Sequence, residues 1–242
     1  MTAAEPFAPN PGKSLERSVR GDTYLRIPLR TRLIHPSEDL YALLDEYVKP
    51  HIRPGDFLFV SEKIVCITQD RIIKTNEVKT GWLAKFLASK VRNGVGTPEF
   101  RGLGHGTAPA MQLLINEAGV PRVLFAAVAS ALTRPFGVAG AFYYLVGKQA
   151  KSIDCPMSWT IPEFKDMAKM APKDPNGVAR ELKERYGVES VIVDANYRGA
   201  ISLGKSTHAI TERFIYDLLR DNPAGQDSEM TPFMLVRKTA AG

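Results

Sequence analysis

The chain has 242 residues, of which 44% are hydrophobic and 24% are charged, close to the globular average, so collagen, coiled coils and disordered chains are excluded. Lysine and arginine outnumber aspartate and glutamate by 32 to 26, a net charge of +6 that favours anionic partners. Because no Lys/Arg run is interleaved with aromatic residues, the charge is interpreted as a solvated basic surface and no nucleic acid partner is expected. A phosphate-bearing small molecule would satisfy the charge equally well.

The first part of the sequence predicts an arm, two strands and one helix. Residues 1–22 predict a disordered or extended arm, and residues 24–34 alternate apolar and basic side chains as a strand does. Residues 40–48 have helical apolar spacing after the capping segment that starts at Ser37. The apolar run 57–67 predicts a buried strand with a polar triplet, Ser61-Glu62-Lys63, set into it. Three polar side chains in a buried strand indicate a functional site.

The remaining elements follow in irregular order. They are a helix after Thr80, a Gly-rich loop at 92–107, a helix at 108–118, a segment at 122–132 whose pattern favours a helix over a packed strand, a strand at 140–147, a helix that starts at Pro175 and Asn176 and ends before Gly187, a strand ending at Asp194, a short strand at 201–203, a helix at 207–220 and a last strand at 232–238. This alternation favours an α/β or α+β fold, with mixed sheets and flanking helices.

The cysteine and hydropathy patterns indicate the cellular compartment of the protein. Cys66 and Cys155 lie in or beside apolar runs and form no CxxC pair, which argues against a zinc site or a disulfide framework. The longest apolar stretch, residues 120–132, is interrupted by Pro121 and Arg122 and is too short to span a bilayer. The opening residues contain no apolar leader. We therefore expect a cytoplasmic protein with no membrane partner.

Carboxylates at the ends of apolar strands indicate a metal site. Asp194 closes one such strand, and Asp154 follows the strand predicted at 140–147. Asp227 and Glu229 lie in a polar turn, and together these four supply the oxygen ligands that Mg²⁺ or Mn²⁺ prefers. Capping of a helix or turn by Asp194, and a solvated loop for Asp227 and Glu229, are the alternatives.

Two Gly-containing segments could bind phosphate. Residues 199–206 match the GxxxxGK[ST] pattern, but residues 201–203 look like a strand and only one short strand follows, so a true phosphate loop is not expected. A contact between Lys205 and a phosphate stays open. Residues 102–107 form either an anion-binding nest or a flexible connector. Cys155 is more plausible as a small buried thiol than as a nucleophile.

Four segments in order resemble one known family. They are IPLRTRLIHPSEDL (27–40), PGDFLFVSEKIVCITQDRII (54–73), APKDPNGVARELKERYGVESVIVDAN (171–196) and GQDSEMTPFMLVRK (225–238). In this order they resemble the coenzyme F-420 γ-glutamyl ligase family over residues 24–238. The resemblance is to a divergent, ligase-like branch.

The resemblance implies a fold and an assembly. Family members join the amine of glutamate to a carboxylate with a nucleoside triphosphate, usually GTP, and a divalent metal. They are intertwined α/β homodimers. The resemblance therefore implies a ligase-like domain over residues 23–240 with two interlocked subdomains, one of them containing residues 100–185, and a homodimer whose subunits complete each other's site.

The resemblance also assigns roles to residues. Asp154 and Asp194 resemble the family's metal aspartates and, with Lys63, would be catalytic. The late turn resembles the family's nucleotide and metal loop, so Asp227 and Glu229 are implied as further metal ligands. The implied nucleotide-binding residues are Pro28, Leu29, Arg30, Glu62, Lys63, Gln226 and Ser228. The chain departs from the family pattern at Ile67, Met157 and Ala195, which implies altered nucleotide and acceptor recognition.

The reaction implied is amide formation from a small-molecule carboxylate and a glutamate-like amine. Because this is uphill in water, the carboxylate is first phosphorylated by GTP or ATP, a step that needs Mg²⁺ or Mn²⁺ and cationic side chains on the phosphate oxygens. Lys63, Arg30 and Lys205 could supply those cations. The alternatives are a metal-dependent hydrolase or transferase on the same site, and a non-catalytic nucleotide-binding protein.

Overall fold

A computed structural model of the chain describes residues 7–91, 106–138, 140–158, 160–196, 199–225 and 228–239. The chain divides into two compact units, one formed by Met1–Asp70 with Pro172–Gly242 and the other by Arg71–Ala171. The second unit is thus an insertion into the first. Most of the Gly-rich loop, residues 92–105, lies outside the described residues.

Strands and helices alternate irregularly along the described parts of the chain. The strands are β1 (Glu16–Val19), β2 (Asp22–Leu29), β3 (Phe57–Ser61), β4 (Ile72–Lys74), β5 (Met167–Lys169), β6 (Glu189–Asn196), β7 (Gly199–Lys205) and β8 (Phe233–Lys238). The helices are α1 (Leu40–Tyr47), α2 (Glu62–Thr68), α3 (Trp82–Lys90), α4 (Ala108–Ala118), α5 (Val120–Thr133), α6 (Ala141–Val146), α7 (Lys148–Lys151), α8 (Pro175–Tyr186) and α9 (Glu212–Leu219).

A mixed sheet forms the centre of the first unit. Its described strands lie in the order β1-β2-β8-β3-β6-β7, in which β3 and β6 are parallel and the other neighbours are antiparallel. Side chains alternate between its two faces: Phe59 and Val191 pack with Ile215 and Leu218 of α9 on one face. Their strand neighbours, such as Val60, are also buried, so both faces are covered. This architecture confirms the expected α+β class with flanking helices.

The second unit is mainly helical. Helices α3 to α7 surround an apolar core that includes Leu87, Met111, Leu114 and Val123, beside a two-stranded sheet of β4 and β5. Among the described residues, no single helix is long and apolar enough to cross a membrane; α4 and the helical segment that follows it reach that length and hydropathy only as a pair bent by 114°.

In each unit, hydrogen bonds join the residues at which the inserted segment begins to the residues at which it ends. In the first unit, the Gln69 side chain donates to the Lys173 carbonyl (3.0 Å) and accepts from the Lys173 amide (2.6 Å). In the second, Arg71 Nε donates to the Ala171 carbonyl, and the Met170 amide donates to the Arg71 carbonyl (2.9 Å). The chain therefore leaves and re-enters each unit at neighbouring points.

Two strand predictions are wrong. The apolar run 57–67 is strand only to Ser61 and then becomes α2, so the polar triplet marks a strand-to-helix junction. The segment 140–147 is the helix α6, bounded by Gly140 and Gly147, both with positive φ. A short apolar run without a clear period does not distinguish a strand from a helix, which explains both errors.

Several helix boundaries follow their caps. The helix predicted from residue 207 begins at Glu212, because Thr211 is its N-cap and accepts from the Phe214 amide (3.2 Å). The N-cap of α1 is Asp39, the last residue of the predicted capping segment Ser37-Glu38-Asp39. Helix α8 has the predicted start, at Pro175, and the predicted left-handed Gly187 after its end.

Candidate functional site

One edge of the mixed sheet collects most of the predicted site residues. Leu29 pairs with Phe233, Phe233 with Val60, and Ser61 with Val193. These registers place the ends of β2, β3 and β6 beside the start of β8. We call this the site edge and define it as residues 28–31, 61–63, 193–196 and 228–232. Segments far apart in sequence are thereby brought together in the first unit.

The segment before β8 is fixed between two strands of the site edge. The Thr31 amide donates to the Met230 carbonyl, and the Ser61 amide donates to the Pro232 carbonyl, both at 2.8 Å. Because these bonds hold the residues on either side of Thr231, and the first of them directly follows Glu229, the end of the predicted nucleotide and metal loop has a defined position. Ser228 is exposed there; Gln226 and Asp227 lie outside the described residues.

Asn10 supports the same loop, although sequence reasoning does not single it out. It belongs to the expected arm, yet it is 5% exposed, and its Nδ2 donates to Thr231 Oγ1 (2.9 Å) and the Pro223 carbonyl (3.0 Å). Thr231 in turn donates to the Ala224 carbonyl (2.5 Å). A single Asn in a Pro-rich segment gives no sequence signal for such a role.

Glu62 and Lys63 lie at the start of α2, where β3 ends. Glu62 is 4% exposed and accepts from Cys66 Sγ, one turn later, at 3.8 Å. A carboxylate is favoured in the first turn of a helix by the helix dipole. Lys63 is half-buried and lies one helical turn before Ile67. The sequence predicted instead that both residues belong to one strand. Ile67 is itself buried.

Asp194 and Glu229 supply carboxylates at the site edge. Asp194 lies opposite Ile201 in the β6–β7 pair, is partly exposed, and has Asn196 Nδ2 at 3.5 Å from its Oδ1. It is therefore two residues short of the strand end. The side chain of Glu229 lies against Gly225, where a Cβ would come within 2.4 Å of Glu229 Cδ. Gly225 has φ +76°, a left-handed conformation that favours glycine.

At the end of β2, Arg30 is exposed, Pro28 is half-buried and Leu29 is buried. The Arg30 side chain is thus the accessible charged group of this segment. The side chain of Leu29 packs in the interior, whereas Pro28 and Arg30 are accessible to a ligand.

Asp154 lies in the second unit and does not end a strand. It follows α7 and forms an antiparallel bridge with Lys169, through hydrogen bonds of 3.2 and 2.8 Å between their main chains. Lys169 is 0% exposed, its Nζ lies 3.6 Å from Asp154 Oδ2, and it donates to the Ser152 carbonyl. Sequence reasoning misses Lys169, although a lysine within the apolar sequence MAKM is a usable signal. The shared metal site of Asp154 and Asp194 stays a prediction.

Cys155 is a buried thiol, 3% exposed. Burial raises its pKa above the ordinary value, although hydrogen bonds with Thr75 and Thr107 oppose this. A thiol with a raised pKa is a poor nucleophile at neutral pH. The thiol interpretation is therefore favoured over the nucleophilic one. Met157, two residues later, is buried as well.

The GxxxxGK[ST] match is explained by packing. Its residues 199–205 form β7, and a Cβ on Gly204 would lie 2.1 Å from the Pro175 carbonyl oxygen at the start of α8. Lys205 Nζ donates to the Ile210 carbonyl (2.7 Å) and lies 3.8 Å from Glu212 Oε1. Gly204 is therefore needed where α8 crosses β7. This packing role agrees with the prediction that residues 199–206 do not form a true phosphate loop.

The carboxylate oxygens at the site edge are hard donors and fit Mg²⁺ or Mn²⁺. Within the described ranges, no three His, Cys, Asp or Glu side chains gather as a metal-binding group. Asp194 and Glu229 carry oxygen ligands of this kind, and Mg²⁺ is usually held by one or two protein carboxylates together with substrate oxygens and water.

The fold and the site edge define a class of protein: an α+β enzyme that collects charged groups where strands of a mixed sheet end. The family described as F420-0:Gamma-glutamyl ligase matches residues 28–238. The chain belongs to this family, and is therefore an enzyme of the kind that forms γ-glutamyl linkages between small molecules. A comparison with curated proteins finds no match.

Proposed function

We propose that the protein is a nucleoside-triphosphate-dependent carboxylate–amine ligase that forms a γ-glutamyl-type amide through an acyl phosphate, with GTP or ATP as co-substrate and Mg²⁺ or Mn²⁺. The observation that supports this best is the site edge. Its registers bring Pro28–Arg30, Glu62–Lys63, Asp194 and Glu229 together, and all of them lie within the family match.

The reaction has two balanced steps. A carboxylate oxygen of the acid attacks the γ-phosphorus, and the nucleoside diphosphate leaves. The amine nitrogen then attacks the acyl carbon, inorganic phosphate leaves and the nitrogen loses a proton. The first step concentrates negative charge, so cations on the phosphate oxygens lower its barrier. No enzyme nucleophile is required, which agrees with the buried thiol of Cys155.

Residues of the site edge have distinct parts in this proposal. Lys63 and Arg30 bind phosphate oxygens, since these two cations follow the ends of β3 and β2, the strands on either side of β8. Asp194 and Glu229 would hold the divalent metal, which when bound neutralises phosphate charge and orients the triphosphate. Asn10 and the bonds to residues 230–232 keep Glu229 in place.

The test is release of nucleoside diphosphate by the purified protein. A ligase releases it only when both an acid and an amine are present. Release with water alone would indicate a hydrolase, and nucleotide binding without turnover over a broad panel of acids and amines would indicate a binding protein. Either outcome would contradict the proposal.

An Asp194→Asn variant assigns the activity to the site edge. We expect turnover to fall at least about 100-fold, since loss of even an outer-shell metal partner costs about 10–100-fold. Asp22→Asn is the matched control, because Asp22 begins β2 at the opposite sheet edge and pairs only at the surface with Lys238 (2.8 Å). Equal activity in both variants would contradict the assignment.

A further inference from the structure

A buried lysine lies beside Asp154 in the second unit. The side chain of Lys169 is 0% exposed, and its Nζ lies 3.6 Å from Asp154 Oδ2. The same ammonium donates to the carbonyl of Ser152, a residue that is itself buried. Because an isolated charge is costly to bury, a fully buried lysine needs an anionic partner and hydrogen bonds. Asp154 and Ser152 supply them.

The main chain fixes the position of this pair. The Asp154 amide donates to the Lys169 carbonyl (3.2 Å), and the Lys169 amide donates to the Asp154 carbonyl (2.8 Å). Lys169 is also the last residue of β5 and pairs with Ile72 of β4. Because the side chain is buried and its main chain is paired on two sides, the positive charge beside Asp154 is a fixed part of the second unit.

This charge opposes the binding of a metal ion at Asp154. A metal–oxygen bond is about 2.1 Å long, so a divalent cation on this carboxylate would lie about 5 Å from Lys169 Nζ. The Asp154 side chain is 40% exposed, and even with the full screening of water, repulsion over that distance weakens binding by about tenfold or more. Asp194 of the site edge differs, because the nitrogen at 3.5 Å from its carboxylate is the uncharged amide of Asn196.

The neighbours of Asp154 also suit a hard cation poorly. Ile153 and Cys155, on either side of it, are 2 and 3% exposed, and Met157 is 2% exposed. Thiol and thioether sulfur are soft donors, whereas Mg²⁺ and Mn²⁺ prefer oxygen. Met157 is also one of the positions at which the chain departs from the family pattern. The segment around Asp154 therefore combines an apolar core with an ion pair.

We propose that the Lys169 ammonium takes the place of a divalent cation at Asp154, so that Asp154 is not a metal ligand in this chain. Lys169 is then a positioning residue, which holds the Asp154 carboxylate in one orientation and neutralises its charge. The inference opposes the shared metal site of Asp154 and Asp194 that the resemblance implies. It deepens the proposed function and rests on it for the part that a metal has in the reaction.

Binding of Mn²⁺ without nucleotide, acid or amine tests this assignment. Electron paramagnetic resonance reports the free Mn²⁺ during a titration, and the wild type and Asp154→Asn should give the same affinity and the same number of sites. A loss of Mn²⁺ binding in Asp154→Asn would overturn the proposal. This failure is distinct from a failure of the proposed function, which would be contradicted by unchanged Mn²⁺ binding in Asp194→Asn.

Lys169→Met tests the role of the ammonium, because methionine replaces it with an uncharged side chain of similar length. We expect the Mn²⁺ affinity to rise by about tenfold or more, and Lys169→Met/Asp154→Asn to lose this gain. Lys169→Arg keeps the charge and should behave as the wild type. The matched control is Lys74→Met, which removes a charge from β4 of the same two-stranded sheet, where Lys74 lies at the surface, 3.9 Å from Glu77.

Circular dichroism checks that each variant is folded, and the comparison of the wild type with Asp154→Asn does not depend on Lys169→Met. An unchanged affinity in folded Lys169→Met would overturn the proposal. So would a gain that persists in the double variant, or an equal gain in Lys74→Met.

Discussion

At the scale of single residues, the buried guanidinium of Arg26 connects several segments of the first unit. Arg26 is 1% exposed and donates to both carboxylate oxygens of Asp221, at 2.5 and 3.0 Å. It also donates to the carbonyls of Leu218 (2.9 Å) and Ser14 (2.6 Å). The guanidinium thus joins the residues before β1, the strand β2 and the end of α9.

We expect Asp221→Ala to lower the free energy of unfolding by about 3 kcal/mol, because it leaves a buried guanidinium without its counter-charge. Chemical denaturation at pH 7 measures this. The control is Asp22→Ala, which breaks the exposed pair with Lys238 and should cost less than about 1 kcal/mol. Equal losses for the two variants would contradict this account.

The same pair predicts a pH dependence. Burial opposes ionisation of Asp221, but the hydrogen bonds from Arg26 hold its pKa below the ordinary value. A lowered folded-state pKa stabilises the protein above the unfolded pKa of about 3.9, and this contribution is lost as the pH falls through the folded value. The wild type should therefore lose stability in acid more steeply than Asp221→Ala, and parallel acid profiles would be the contrary result.

At the scale of elements, the crossing of α8 over β7 depends on Gly204. We expect Gly204→Ala to destabilise the fold by about 2–3 kcal/mol, because its Cβ would meet main-chain atoms of Pro175 and Asn176 that cannot move alone. The control is Gly81→Ala, whose Cβ would lie at an ordinary 3.5 Å from Gln112 Oε1. Thermal unfolding compares the two, and a neutral Gly204→Ala would show that packing does not explain this glycine.

Elements with strong end signals were predictable from the sequence. Helix α4 has Thr107 before it and Gly119 after it, and α8 lies between Pro175 and Gly187. The segments at 57–67 and 140–147 were not, because short apolar runs are decided by tertiary packing rather than by local pattern. The last strand, β8, agrees with its prediction because its run of four apolar residues is buried without interruption, as expected of a strand inside a sheet that is covered on both faces.

The candidate site was predictable in part. The resemblance supplied the segments around Arg30, Lys63 and Asp194, while only the strand registers show that they share an edge. Asn10 could not be predicted, because its partner Pro223 lies 213 residues away and the contact exists only after folding. The role of Lys169 could not be predicted for the same reason, because it depends on the bridge to Asp154.

At the scale of the whole molecule, the registers predict which chain supplies which residue. Ser61 pairs with Val193 in one chain, so Lys63 and Asp194 belong to the same site edge. Mixing a Lys63→Ala chain with an Asp194→Asn chain, under conditions that exchange subunits, should restore no activity. Recovery toward half of the wild-type rate would mean that two chains complete one site through these residues.

The hydrogen bonds that join the two ends of the inserted segment have a consequence for how such a protein can evolve. The chain leaves the first unit at Gln69 and returns at Lys173, which bond to each other, and the six described strands of its sheet all lie outside residues 71–171. The entropy of closing a loop rises only slowly with its length. The inserted segment can therefore change in length or sequence during evolution at little cost to the closure of the first unit, whose described strands all come from residues outside it.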